Sequence, residues 1–307
     1  MTKYIIPHKN PDTDAICASI MLQKLLKARG TQAIPIRLGE LNNETKFILE
    51  KLNIETPKLK TEFENGTKLY LVDHNEAQQS IENLNECQIL GIYDHHKFKL
   101  ETSTPLEIRA EPLGSTNSIL AKIFFEQNIE LSQKDAKILI SAILSDTLLF
   151  NAPTTTKEDK EIVEKLNKIA QIENLDNWAL EMFNAKSNLG NMDIEKVIKL
   201  DYKEFNFKGK KLGIGIMETT SPSYGLSRKN EIIEKMKELK SKDKLDGIFL
   251  SIIDILNQKN ITIYPEKFEK EMLSEALNGK LIEENIQNLG NQTSRKKQIV
   301  PALEKYF

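Results

Sequence analysis

Three short apolar runs end in the same chemistry. "KYII" leads into His8, "KLYLVD" ends on Asp73 beside His74, and "CQILGIYD" ends on Asp94 ahead of His95 and His96. These account for every histidine in the chain. The runs have strand length and composition, and helical patterns separate them. One helix is predicted over about residues 13–29, with Ile16, Ile20, Leu22, Leu25 and Leu26 on its apolar side. Shorter helical segments are expected near 44–52 and 77–84, and "AIPIRL" is a further strand. Strands alternating with helices build a mostly parallel sheet with helices on its faces. Ligands bind such sheets beyond the carboxyl ends of the strands, so polar groups far apart in sequence converge there.

A lone histidine at a strand end is ordinarily a hydrogen-bonding loop residue, and an aspartate before a helix is ordinarily its N-cap. The joint occurrence at three strand ends favours a shared site. Imidazole nitrogen and carboxylate oxygen without thiolate suit divalent manganese, cobalt, zinc or iron. Asp12, Asp14, Asp73 and Asp146 would balance two dications, with neutral His8 and His95 completing the shells. Asp146 closes the helical "SAILSD", where an unpaired buried carboxylate is costly. Taken alone, Asp146 reads as a capping residue.

Beyond "STNSILAKIFFEQN", "QKDAKILISAILSD" and "KEDKEIVEKLNKIA", all helical in pattern, the chain loosens at "AKSNLGNMD" into a linker. A second, smaller unit follows. Its expected strands are "KVIKLDYKEFNF", "KLGIGIMET", "GIFLSIIDIL" and "ITIYP", with helices near 229–239 and 268–277. The "GSTNSIL" segment reads equally well as a hydroxyl-capped helix start or as amides facing an anion.

Length allows one large domain or two ordinary ones. A net charge of -2 gives no bulk attraction to nucleic acid or anionic membrane. No apolar stretch approaches the roughly 20 residues that span a bilayer, and "MTKYIIPHKN" has no signal-peptide layout, so a cytoplasmic protein is expected. Cys17 and Cys87 sit in apolar patterns and read as core residues.

"HKNPDTDA", "LVDHNE", "YDHHK" and "SAILSDTLLF" resemble the successive motifs of the DHH phosphoesterase superfamily, and most closely its manganese-dependent (family II) inorganic pyrophosphatases. "TSRKKQIVP" is similar to the phosphate-gripping motif of that family's DHHA2 domain. The resemblance implies an α/β chain of two domains, the first a mostly parallel sheet flanked by helices, the second a smaller α/β domain with a mixed sheet. It implies a DHH metal-binding catalytic domain over 1–187, a hinge over 188–193 and a DHHA2 substrate-binding domain over 194–307, the hinge letting the second domain close over substrate.

It also implies hydrolysis of pyrophosphate to two phosphates by a metal-bridging hydroxide at a binuclear site between the domains. One manganese would be held by His8, Asp12 and Asp73, the other by Asp14, Asp73, His95 and Asp146. Cobalt is the expected substitute, with further magnesium or manganese arriving with substrate. His96 would contact substrate and donate a proton. Arg295, Lys296 and Lys203 would bind phosphate, and His74 would orient a ligand. A homodimer through a strand edge is implied, with no nucleic-acid or membrane partner. The rival readings are a nucleotide phosphoesterase or exonuclease of the same superfamily and a non-catalytic metal- or nucleotide-binding regulator. The first is disfavoured because the chain has no Gly-Gly pair, the second because every expected position is filled.

Overall fold

The computed structural model describes residues 2–102 and 104–307, and the chain divides into two compact units after Met182. In the first unit, the strands β1 (Lys3–Ile6), β2 (Ile34–Arg37), β3 (Lys58–Leu59), β4 (Lys68–Val72), β5 (Gln88–Asp94) and β6 (Glu107–Ala110) form one sheet in the order β3-β2-β1-β4-β5-β6. Every pairing in it is parallel. From β1 the chain moves outward to β2 and β3, then returns to place β4 on the other side of β1. The β1–β4 boundary is therefore the topological switch point, where the connections diverge and leave a crevice.

Helix α1 (Thr13–Ala28) follows β1. Asp12 caps it, its Oδ1 accepting from the Ala15 amide at 3.0 Å. Ile16, Leu22, Leu25 and Leu26 are buried, while Ile20 is half-buried and packs with Ile16, Leu41 and Leu49. Full burial of each such side chain contributes about 1.5–3 kcal/mol, which holds α1 firmly against the sheet. Helix α2 (Asn43–Lys51) starts on the Asn42 cap. Helices α3 (Thr116–Glu126), α4 (Gln133–Asp146) and α5 (Lys157–Ala170) come after the last strand, and α4 and α5 each open with a capping box, Ser132–Asp135 and Thr156–Asp159. Helix α6 (Leu175–Ser187) runs through the division between the units, so Ala185, Lys186 and Ser187 are helical rather than linker.

In the second unit, α7 (Ile194–Ile198) precedes β7 (Asp201–Phe207) and β8 (Lys210–Thr219). Then come α8 (Ser223–Ser227), α9 (Lys229–Lys242), β9 (Gly247–Asp254), β10 (Lys259–Ile263), α10 (Lys267–Leu277), β11 (Lys280–Glu283) and β12 (Ile286–Gly290). The sheet order is β11-β12-β10-β9-β8-β7, with β8 and β9 parallel and the other pairs antiparallel. Val197, Ile198, Met236, Ile248 and Leu250 belong to its core. Arg295–Ile299 forms a π-helical turn that leads into α11 (Val300–Tyr306). The expected α/β architecture, a parallel sheet and then a mixed one, is what the chain adopts.

Two local expectations fail for identifiable reasons. The helix expected near 77–84 is only a pair of 3₁₀ turns, Ala77–Gln79 and Leu84–Glu86. Its apolar content reduces to Ile81 and Leu84, and the Gln79 carbonyl accepts from the Lys9 amide at 2.8 Å instead of continuing a helix. The strand expected from Lys196 onward begins only at Asp201. Asp193 caps α7, and Ile194, Val197 and Ile198 bury at helical spacing. Strands β3, β6, β11 and β12, and helices α6, α8 and α11, have no counterpart in the sequence patterns.

Candidate metal centre

Each arm of the cluster is delivered by a rigid element. His8 follows β1, Asp12 and Asp14 stand at the start of α1, Asp73 follows β4, His95 follows β5, and Asp146 ends α4. His8 Nε2 lies 3.7 Å from Asp12 Oδ2 and 3.5 Å from Asp73 Oδ2. His95 Nε2 lies 3.4 Å from Asp73 Oδ1 and 3.3 Å from Asp146 Oδ2. Asp73 thus turns one oxygen toward each group. The ligand atoms of His8, Asp12 and Asp73 lie within 4.8 Å of one another, and so do those of Asp14, His95 and Asp146. A third grouping on that criterion joins Asp73, His95 and His96.

The local backbone is shaped to this purpose. Asp73 adopts a left-handed conformation, φ 59°, and its amide donates to the Tyr93 carbonyl at 2.9 Å. Aspartate tolerates that region better than most residues, yet it still costs on the order of 1 kcal/mol or more. After α4 the chain passes through three consecutive left-handed residues, Leu148, Leu149 and Phe150. Asn151 Nδ2 holds this turn by donating to the Leu148 and Leu149 carbonyls, each at 3.2 Å.

Asp146 is not a cap. It is the last residue of α4, where the free backbone groups are carbonyls and the helix dipole is negative, so a carboxylate finds neither donors nor a favourable field. A cation would resolve that conflict.

The "GSTN" segment does both things its sequence allows: the Ser115 hydroxyl caps α3, accepting from the Asn117 amide at 3.0 Å, and the segment's amides face an anion, which is Asp14. The Thr116 amide donates to Asp14 Oδ2 at 2.8 Å, Asn117 Nδ2 donates to Asp14 Oδ1 at 2.8 Å, and the Ser115 hydroxyl donates to the same Oδ1. Thr116 Oγ1 donates to Asp73 Oδ1 at 2.9 Å. Gly114 must be glycine, because a Cβ there would meet Thr147 Cγ2 at 2.7 Å and Asp159 Oδ2 at 2.9 Å.

Sequence reasoning also passed over Asp94, although it closes a strand in the quoted "YDHHK". Asp94 is fully buried, accepts from His96 Nδ1 at 2.8 Å and from Asn75 Nδ2 at 2.7 Å, and so fixes the His96 ring. The bond to Asp94 occupies His96 Nδ1, which leaves Nε2 as the nitrogen able to hold or give a proton. His95 Nδ1 donates to the Leu113 carbonyl at 2.9 Å, which presents Nε2 to Asp73 and Asp146. His74 Nδ1 donates to the Val72 carbonyl at 2.9 Å, and its ring lies edge-on to His8 with centroids 6.5 Å apart.

The electrostatics show a pocket short of positive charge. Burial alone would lower the His8 pKa, but Asp12 and Asp73 outweigh it and raise it to about 10. Burial, then the charge of Asp73, pushes Asp14 up to about 7. Desolvation also raises Asp146, and the carboxylates of Asp14, Asp12 and Asp73 add to the effect. Burial works against the ionised Asp73 as well, yet the hydrogen bonds from His8 and His95 hold it well below the ordinary carboxylate range. Burial, then His95, lowers His96. Protons are thus drawn in where divalent ions would serve better, and the nitrogen-and-oxygen donor set fits manganese.

In the second unit Lys203 lies on β7, two residues after Asp201 and so on the same face of the strand. Arg295 Nη1 donates to the Asp201 carbonyl at 2.8 Å, and Nη2 donates to Asp201 Oδ1 at 2.5 Å. It also reaches the carbonyl of Ile214, the register partner of Lys203. The charges of Arg295 and then Lys203 lower the pKa of the Asp201 carboxylate. The structure therefore brings Arg295 and Lys203 together around one carboxylate. Lys296 follows Arg295 in the π turn and is exposed.

A centre of imidazoles and aspartates at the switch point of a parallel sheet defines a metal-binding α/β protein, and comparison with known proteins narrows the class. The DHH family, N-terminal domain, matches residues 2–143, and the DHHA2 domain matches residues 180–306. A protein of Deinococcus radiodurans that bears the name "probable manganese-dependent inorganic pyrophosphatase" is 44% identical over 99% of this chain and 98% of its own. A manganese-dependent inorganic pyrophosphatase from Methanocaldococcus jannaschii is 39% identical over 99% of both. A crystal structure from Methanococcus jannaschii, assigned to the family II inorganic pyrophosphatases, has 38% identity and a TM-score of 0.87, covering 99% of both chains. The chain belongs to the manganese-dependent inorganic pyrophosphatase family.

Proposed function

We propose that this protein hydrolyses inorganic pyrophosphate to two phosphates, using two divalent ions, manganese first and cobalt as substitute. The observation that carries the reading is the division of Asp73, one oxygen 3.5 Å from His8 and the other 3.4 Å from His95. A bridging carboxylate needs that geometry. His8, Asp12 and Asp73 would hold one ion, and Asp14, Asp73, His95 and Asp146 the other. Bound there, such ions act as Lewis acids that acidify water and offset charge on phosphoryl oxygens.

The remaining work falls to the protein's own groups. His96 has its ring fixed by Asp94; its lowered pKa leaves Nε2 unprotonated in the free protein, and Nε2 would carry a proton for the leaving phosphate once bound anionic substrate favours the imidazolium. Arg295, Lys296 and Lys203 bind phosphate oxygens, and the planar guanidinium suits two at once. Because phosphoryl transfer depends mostly on positioning and charge stabilisation, this division of labour suffices in kind. Further magnesium or manganese would arrive with the substrate.

The same reading assigns metal binding to 1–187, a hinge to 188–193 and substrate binding to 194–307. It also makes the protein a cytoplasmic homodimer that binds no nucleic acid. Among the described residues no helix is long and apolar enough to cross a membrane. Both edge strands of the first sheet expose an apolar side chain, Leu59 on β3 and Ile108 on β6, which supports dimerisation along an edge.

The test is phosphate release by metal-stripped protein reconstituted with manganese, comparing pyrophosphate with a nucleotide and an oligonucleotide. Pyrophosphate should be strongly preferred. Equal or better hydrolysis of the nucleotide or oligonucleotide would favour the phosphoesterase alternative instead.

A further inference from the structure

Helix α2 contributes no residue to the metal centre, yet it sends one carboxylate behind it. Glu44, in the first turn of α2, is fully buried. Its Oε2 accepts from the Thr13 hydroxyl at 2.8 Å and from the Ser145 hydroxyl at 2.7 Å. Thr13 stands between Asp12 and Asp14, and Ser145 directly precedes Asp146. One oxygen atom therefore ties the start of α1 to the end of α4, the two elements that supply three of the four carboxylates. Thr13 and Ser145 are themselves buried, and Thr13 Oγ1 is also 3.1 Å from Thr45 Oγ1.

As a stability device this arrangement is poor. A buried ion supported by hydroxyls usually costs more than a packed apolar side chain of similar size, and a negative charge beside Asp12, Asp14 and Asp146 adds repulsion. Its field does reach the centre's side of α1: the Cys17 thiol is pushed up by burial, and then by the charges of Asp14 and Glu44. The repulsion is offset once dications occupy the cluster, because the same charge then attracts the ions that the ligands hold.

We propose that Glu44 is a positioning residue that fixes Asp12, Asp14 and Asp146 relative to one another and strengthens cation binding there. The proposal rests on the metal-centre reading above. Groups hydrogen-bonded to the ligands themselves typically change metal affinity by about 10- to 100-fold, and Glu44, which acts through the neighbouring Thr13 and Ser145, should fall at the lower end.

The test is manganese titration of metal-free wild type and Glu44→Gln by calorimetry, alongside melting curves of the metal-free proteins and steady-state kinetics. Glu44→Gln should weaken binding of at least one manganese by about tenfold or more. It should lower kcat with little change in KM, and leave the metal-free Tm equal or higher. Glu44→Asp should recover part of the affinity. If Glu44→Gln does not fold, Ser145→Ala, which removes one of the two hydroxyl ties, should weaken manganese binding in the same direction. Unchanged manganese affinity together with a lower metal-free Tm would reduce Glu44 to a structural residue and overturn the proposal. If wild type released no phosphate from pyrophosphate while Glu44→Gln still shifted manganese affinity, the functional reading would fail and this one would stand.

Discussion

The two charged regions of the molecule are built on opposite plans. In the first unit the cluster is anionic, largely buried and held at several points: Asp14 by Ser115, Thr116 and Asn117, Asp73 by Thr116 and by its own left-handed backbone. In the second unit the cationic groups lie on one strand and one π turn, where Asp201 and the Ile214 carbonyl hold Arg295. The difference teaches what each must do. A centre for dications has to keep carboxylates together against their own repulsion, so it needs many donors around them. The phosphate grip proposed for the second unit would meet its ligand with charge of opposite sign, so it would not have to hold like charges together.

Substitutions in the two regions should therefore fail differently. The largest effect is expected for Asp73→Asn, which should abolish stoichiometric manganese binding and lower pyrophosphate hydrolysis by more than about 10³-fold, since several kcal/mol of charge stabilisation are lost. Metal analysis of the purified variant checks this. Retention of both ions would break the bridging role.

His96→Gln should keep its manganese but lose about 10²- to 10⁴-fold in kcat, the range typical of proton transfer by a positioned group. Loss of metal from that variant would move His96 from proton donor to ligand. In the second unit, Lys296→Ala should leave manganese content untouched and raise KM about tenfold or more, as expected for one charge-assisted contact to phosphate. A fall in manganese affinity there would erase the contrast between the regions.

The smallest effect should appear in stability against pH. The folded pKa of His8 is raised to about 10, above its unfolded value. Its contribution is complete below about pH 6.5 and is lost as pH rises through 10. Asp14, raised to about 7, likewise favours the protonated folded state and loses that advantage as pH approaches 7. Metal-free protein should thus melt at progressively lower temperature from pH 7 to 10, and saturating manganese should flatten or reverse the slope. A metal-free Tm that rose over that range would contradict the described electrostatics.

The two regions also differ in how far sequence reveals them. The first site was legible because topology does the assembling. Once "KYII", "KLYLVD" and "CQILGIYD" are parallel strands, His8, Asp73 and His95 must emerge at one edge. What escaped was the supporting layer. Asp94 looks like any strand-ending aspartate until its bond to His96 is seen, and Glu44 looks like an ordinary first-turn acid on α2. Their roles depend on partners up to 101 residues away, which no local pattern encodes.

The second unit was legible only in outline. "SRKKQ" alone reads as a solvated basic loop, and only resemblance marked it, while the pairing of Arg295 with Asp201 has no sequence signal. The failures at 77–84 and at Lys196 were local contests, where scant apolar surface and the Lys9–Gln79 bond undercut a helix and an aspartate cap created one.

Anomalous diffraction at the manganese edge from crystals of the metal-loaded protein addresses the shared carboxylate directly. The expected result is two peaks about 3.5–4 Å apart, each within bonding distance of a different Asp73 oxygen. A single peak, or two peaks of which one lies away from Asp73, would contradict it.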